Sequence, residues 1–184
     1  MTEEMPTFKY HPDPAGNGLV TASGKTCKCC GKARGFIYRG PVYSVHDLDE
    51  GICPWCIADG AAATKFNATF TDDVPLLDSG GLDPAIVEEI TKRTPGYIGW
   101  QQETWLTHCG DACAYLGFPT IEDLDGVLAE AATTMTDELS IPAKNWQMMR
   151  DAYVPGGFQP QGRVGLYKFR CLHCGMHLLA CDSN

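Results

Sequence analysis

Two CxxC pairs, Cys27/Cys30 in CKCCG and Cys53/Cys56 in CPWC, carry the plainest chemistry in the chain. Two intervening residues let both thiolates of a pair leave one tight turn towards a single point. Two such turns supply four sulfurs for a tetrahedral Zn²⁺ at about 2.3 Å. Gly31, directly after Cys30, suits a turn that needs a positive φ. The predicted ligand is Cys27, with Cys29 a spare thiol, because only Cys27 forms CxxCG with Cys30. CPWC at a helix start also has the form of a reactive dithiol in thioredoxin-like proteins. The preceding HDLDEGI lacks the apolar strand of a βαβ context, so zinc is the preferred reading.

A second constellation joins Cys171/Cys174 of CLHCG to the distant THCGDAC. Two thiolates are half of a structural zinc site, so the remaining ligands must come from elsewhere in the fold. Cys109 is the first choice, and His108, Asp111, Cys113, His173 and His177 compete for the fourth place. On a strand, His108 and Cys109 would point to opposite faces and would not easily both reach one ion. On a helix, Cys109 and Cys113 would share a face, as would His173 and His177. The metal set is therefore Cys27, Cys30, Cys53, Cys56, Cys109, Cys171 and Cys174, with two zinc ions per chain and His108 or Asp111 as fourth ligand or functional polar group.

His108, Cys109 and Asp111 are also the residue types of a base, a nucleophile and an orienter. A zinc with three protein ligands would keep a water-binding position, which frames a zinc-dependent enzyme as the alternative function. No catalytic residue is assigned, and the reading leans away from an enzyme, because catalytic groups usually converge from separate segments.

The 184 residues are 44% hydrophobic and 20% charged, enough to bury a core in one domain or two small ones. No apolar run approaches the roughly 20 residues that span a bilayer. MTEEMPTFKYHPDP is acidic and polar where a signal peptide is basic and then apolar, so a cytoplasmic location and no membrane partner are expected. In that compartment ten cysteines point to metal ligands before disulfides. A net charge of -9 argues against nucleic acid, although Lys25, Lys28, Lys32, Arg34 and Arg39 gather near the first pair and keep a nucleic-acid-binding finger as a second alternative. Asp47, Asp49 and Glu50 lie just beyond them.

Along the chain, an N-terminal arm packs through Phe8 and Tyr10, with His11 a packed or surface residue and no ligand. GFIYRGPVYS reads as a β-hairpin turning at Arg39-Gly40-Pro41. Ile57 to Phe66 reads as a helix, despite Gly60, whose N-terminus would lower the thiol pKa of Cys53 and Cys56. Knuckle, hairpin and helix in that order describe a treble-clef zinc finger. TDDVPLLDSGGL is a connector. Asp83-Pro84 caps a helix with Ile86, Val87 and Ile90 on one side, stopped by Thr94-Pro95-Gly96. A strand through Trp105 to His108 and a short helix from Asp111 follow. Thr120 and Asp123 form a capping box before a helix striped by Leu124, Val127, Leu128 and Ala131. A further helix from about Pro142 to Tyr153 packs Trp146, Met149 and Tyr153, and a strand, CxxCG knuckle and second strand close the chain. The expected fold is α+β: a zinc-finger module over residues 1–80, then a helical segment with a C-terminal β-ribbon, a zinc-ribbon-like module, over 81–184, packed as one unit.

The ordered motifs PTFKYHPDP, CxxCG with ARGFIYRGPVY, CPWCIADG, TPGYIGWQQETWLTHCGD and FRCLHCG resemble the CbrC family of small bacterial proteins, named after a link to colicin tolerance. The resemblance covers nearly the whole chain, and its composite motifs are far more specific than a bare CxxC. It implies a cytosolic, cysteine-rich, zinc-binding protein without an assigned enzymatic activity. Cys27, Cys30, Cys53, Cys56, Cys171 and Cys174 fall at matching positions, as do His108, Cys109 and Asp111, while Cys29, Cys113 and Cys181 are local additions. The expected function is a structural or interaction module in a stress or colicin-tolerance response, with another protein as partner.

Overall fold

A computed structural model describes residues 3–78, 81–126, 143–156 and 164–183. The chain is mixed α/β and divides into two compact units, Met1–Ile98 and Gly99–Asn184. Among the described residues no helix is long and apolar enough to cross a membrane.

The first unit opens with the arm. Phe8 and Tyr10 are buried as expected, and His11 is packed beside them. Its Nδ1–H donates to the Pro95 carbonyl at 2.8 Å and its Nε2 accepts from Asn17 Nδ2 at 3.1 Å. Burial drives this ring to its neutral form, with the pKa lowered to about 4.

Strand β1 (Val20–Ala22) pairs antiparallel with β2 (Phe36–Tyr38), Thr21 opposite Ile37. This corrects the hairpin expected within GFIYRGPVYS. Arg39 N–H still donates to Leu19, but Pro41 has no N–H to lend to a ladder, and Tyr43 bridges Thr69 instead. The first knuckle therefore sits in the loop between β1 and β2, and the order is strand, knuckle, strand, helix.

The expected single helix is two. Helix α1 (Pro54–Ala58) ends at Asp59, and α2 (Ala61–Phe66) starts after Gly60, whose φ of 74° is left-handed. The supposed connector holds a one-turn helix, α3 (Val74–Asp78), with Asp72 Oδ1 accepting from Val74 N–H at 3.0 Å. Helix α4 (Pro84–Arg93) is capped by Asp83 and stops before Thr94 as the sequence predicts. It belongs to the first unit: Ile90 is buried there, and Arg93 Nε donates to the Ala58 carbonyl at 3.0 Å. Gly96 is required where it lies, since a Cβ would sit 1.8 Å from the Phe70 carbonyl oxygen.

The second unit is built on a three-stranded antiparallel sheet in the order β5 (Ala114–Gly117), β6 (Val164–Arg170), β7 (His177–Ser183). A short hairpin, β3 (Thr107–His108) with β4 (Asp111–Ala112), precedes it. Residues from Asp111 are therefore strands where a helix was expected. Small and aromatic residues run almost without a break from Ala112 to Tyr115, and all four are buried, as suits a strand covered on both faces.

Alternation along β6 sends Tyr167 and Phe169 to one side, where Phe169 meets Trp105 and Tyr115 edge-on or tilted at ring distances of 5.9 and 5.4 Å. Leu166 goes to the other side and joins Leu124, Tyr153 and Leu179. Both sides are buried because α5 (Ile121–Asp125) and α6 (Ala143–Ala152) cover the second one. The Thr120/Asp123 capping box is formed, and Trp146, Met149 and Tyr153 face this core as expected. Val127, Leu128 and Ala131 of the predicted stripe, and Pro142, lie outside the described residues.

Candidate metal centres

The first centre collects Cys27, Cys30, Cys53 and Cys56, with their sulfurs all within 4.8 Å of one another. The knuckle is closed by Gly31 N–H donating to Cys27 O at 2.8 Å and Cys27 N–H donating to Lys32 O at 2.9 Å, with Gly31 at φ 70°. Cys53 is the residue capping α1 and Cys56 lies in its single turn. Cys27 to Cys56 and Cys30 to Cys53 each measure 3.9 Å between sulfurs. Sulfurs at tetrahedral angles, about 2.3 Å from one ion, would be about 3.8 Å apart, so the donor set fits a thiolate-ligated cation.

Cys27, Cys53 and Cys56 are buried and Cys30 is half-buried. A hydrogen bond from the Cys53 thiol, helped by backbone N–H groups, brings the Cys27 thiol down to about 4. That same hydrogen bond, with burial, pushes Cys53 well up, and burial pushes Cys56 up. The helix start does act as expected on Cys53, whose thiol the Cys56 N–H lowers, but the Cys27 hydrogen bond and burial outweigh it, and burial dominates at Cys56. A one-turn helix opened by Pro54 adds only a short dipole to that N–H. Cys29 is outside this group. Its carbonyl accepts from Lys65 Nζ at 2.7 Å.

The second centre collects His108, Cys109, Cys171 and Cys174. Cys171 and Cys174 sit on a knuckle that repeats the first: Gly175 N–H donates to Cys171 O, Cys171 N–H donates to Met176 O, and Gly175 has φ 78°. Burial works to raise the Cys171 thiol, but the N–H groups of Cys174 and His173 bring it down to about 6. His108 ends β3, and Cys109 and Gly110 are both left-handed, at φ 54° and 72°. Positive φ at both central residues is the mark of a two-residue type I′ hairpin turn.

That turn corrects the argument that His108 and Cys109 cannot share an ion. Cys109 is not on the strand, and its left-handed backbone swings the side chain back beside its neighbour. His108 Nδ1 lies 3.1 Å from Cys109 Sγ and 3.5 Å from Cys174 Sγ. The tetrahedral spacing for a nitrogen and a sulfur on one zinc is about 3.6 Å. Cys109 and Cys174 are exposed, in contrast to the first centre.

Asp111 and His173 are not drawn into the set. Asp111 is buried, accepts its own neighbour Ala112 N–H at 2.8 Å, and holds His173 Nε2 at 3.0 Å. This pair ties the hairpin carrying His108 and Cys109 to the knuckle carrying Cys171 and Cys174. Sequence reasoning missed it because the partners are far apart in the chain, whereas the turn had a local signal in Gly110 at the second central position. Cys113 is fully buried, its thiol pushed up to about 12 by burial, and behaves as a small core residue. His177 starts β7 and is in neither group.

Comparison with known proteins gives relatives over almost the full chain. The UPF0167 protein PA1536 of Pseudomonas aeruginosa is 48% identical over 176 residues, 95% of each chain. The UPF0167 protein Mb2317 of Mycobacterium bovis and the UPF0167 protein MT2352 of Mycobacterium tuberculosis are each 41% identical over 180 residues, 98% of this chain and 94% of theirs. No solved structure matches the chain significantly. The family model matches residues 5–183, and the chain belongs to the uncharacterised protein family UPF0167.

Proposed function

We propose that this is a two-zinc protein in which the first centre staples the N-terminal fold and the second presents an exposed metal-ordered surface to a protein partner. The observation that carries the reading is the pair of four-donor sets, one of four cysteines and one of three cysteines and a histidine, each within 4.8 Å. Thiolate-rich sets of this kind suit zinc, and four protein donors close its coordination. The first set, with two ligands at a knuckle and two at a helix start, is what supports the treble-clef comparison. The link to a stress or colicin-tolerance response, and the cytoplasmic location, rest on the CbrC resemblance and the residue chemistry.

A zinc enzyme using His108, Cys109 and Asp111 is the weaker reading. His108 and Cys109 are two of the four donors that would fill the ion's positions, and the Asp111 carboxylate is engaged by His173. A nucleic-acid role is weakened by neutralised charge: Lys25 and Arg39 meet Glu50, Lys28 meets Asp47, and Arg34 meets Glu3.

Elemental analysis of protein purified without chelators tests the reading. Two zinc ions per chain are expected. One ion refutes the second centre, and none refutes the proposal. Cys27→Ser should cost one ion while Cys29→Ser costs none, and the reverse result would exchange the two residues' roles.

A further inference from the structure

We propose that Cys109 and Cys174 are a hydroperoxide-sensitive thiolate pair whose oxidation to a disulfide opens the second metal centre. The inference rests on the two-zinc reading above and adds a modification site to it.

Access separates these two cysteines from the other cysteine donors, of which Cys30 is half-buried and the rest are buried. Cys109 and Cys174 are exposed, whereas Cys27, Cys53 and Cys56 are 1%, 0% and 2% exposed and Cys171 is 1%. The glycines next to them, Gly110 and Gly175, have nothing within 4 Å of where a Cβ would stand, as is also true of Gly31 beside Cys30, so these turns are open on their outer side and the exposure of the cysteines sets the difference. The two sulfurs belong to one group whose donor atoms lie within 4.8 Å, yet they come from different turns. Each occupies a turn and not a strand of the three-stranded sheet, so a sulfur can move towards its partner without breaking a ladder hydrogen bond.

The step balances with a hydroperoxide as oxidant. One thiolate attacks the peroxide oxygen, the O–O bond breaks, and an alcohol, or water from hydrogen peroxide, leaves after taking a proton. The attacking sulfur is now a sulfenic acid. The second thiolate displaces its hydroxyl, which leaves as water with a second proton, and the S–S bond forms. The two sulfurs lose two electrons and the peroxide gains two. His108 and Cys171 alone remain, half of a structural donor set, and the ion is released.

The Asp111–His173 pair makes the event reversible. It involves none of the four donors, and its 3.0 Å contact joins the hairpin to the knuckle without passing through the ion. A thiol reductant then restores two sulfurs already in place.

The test uses the full-length zinc-loaded protein, one equivalent of hydrogen peroxide and a chromogenic zinc chelator, with disulfide mapping by mass spectrometry. One of two ions should be released, a Cys109–Cys174 disulfide should appear, and reductant with added Zn²⁺ should restore the second ion. Cys29→Ser and Cys181→Ala remove the other partly exposed thiols outside both groups, and release should be unchanged in each. Loss of both ions together, loss from the first centre first, release without the Cys109–Cys174 disulfide, or failure to reload overturns this inference and leaves the two-zinc reading standing. A single ion per chain before treatment overturns both.

Discussion

The two centres begin from the same knuckle and end as different sites. In each, the glycine after the second cysteine is left-handed and its N–H returns to the first cysteine's carbonyl. What differs is the completing segment. A capping residue and a buried helix turn complete the first, and a two-residue hairpin turn completes the second. A CxxCG motif thus specifies half a site, and the segment that meets it sets burial, access and coupling to the core. Three of the first centre's four cysteines are buried, as are Ile37, Ile52 and Ile57 of the same unit. The second stands off the end of β6, while its unit has an independent core around Leu124, Tyr153, Leu166 and Leu179.

The sharpest way to break this contrast is to remove one sulfur from each centre. Structural zinc sites contribute about 10–16 kcal/mol of apparent binding energy, as much as the whole stability of a small domain. Cys53→Ser should therefore unfold the first unit, read from Trp55 fluorescence and loss of one ion. Cys174→Ser should also lose one ion, yet leave the second unit's sheet and helix core folded. Equal unfolding in the two variants would end the distinction between a staple and an exposed centre.

The burial contrast extends to the histidines. His11 is fully buried in the first unit and held neutral, while His173 lies exposed beside the second centre. With the folded pKa lowered to about 4 from the ordinary 6.5, the unfolded chain binds the proton more readily between those values. Stability is then fully present above about pH 6.5 and falls with acid down to about pH 4, by roughly 3 kcal/mol. Nuclear magnetic resonance should find the His11 ring titrating near 4. A titration near 6.5 would mean the ring is solvated and the packing against Pro95 wrong.

Much of the first centre was legible because its ligands come as two local motifs in a short stretch, and capping chemistry at Asp83 and Thr120 marked two helices correctly. The second centre was half legible. Cys109 was identified, but assigning His108 and Cys109 to a strand put them on opposite faces, and only a positive φ at a non-glycine residue brings them together. In the sequence Gly60 looks tolerable within a helix and Pro41 suits a hairpin turn. Their backbone constraints instead ended the elements. Long-range pairs such as Asp111 with His173 leave no trace in spacing, since either residue alone is equally at home on a surface.

That pair gives a smaller prediction. His173→Ala should lower zinc affinity at the second centre by about 10- to 100-fold, as loss of a supporting hydrogen bond commonly does, and leave the first centre's affinity unchanged. Competition with a chelator of known affinity measures both. An unchanged second affinity would show that the knuckle and hairpin hold their positions without the brace.

The smallest effect tests whether the second centre is strained for its purpose. A non-glycine residue held left-handed costs of order 1–3 kcal/mol, and such cost persists where surrounding structure or a ligand demands it. Cys109 carries this cost at φ 54°, while Cys30 has no positive φ. Cys109→Gly should therefore stabilise the metal-free protein by about 1 kcal/mol, after glycine's larger unfolded-state entropy is counted, and weaken zinc binding by removing a donor. Cys30→Gly has no strain to relieve and should destabilise with or without metal. Urea unfolding with and without zinc measures both variants. An opposite sign in metal-free and metal-loaded protein for Cys109→Gly, set against a single sign for Cys30→Gly, would show that metal binding at the second centre offsets a local strain absent from the first. If Cys109→Gly destabilises the metal-free protein, the turn is held by contacts of the cysteine side chain itself, and the left-handed geometry is not a cost carried for the metal.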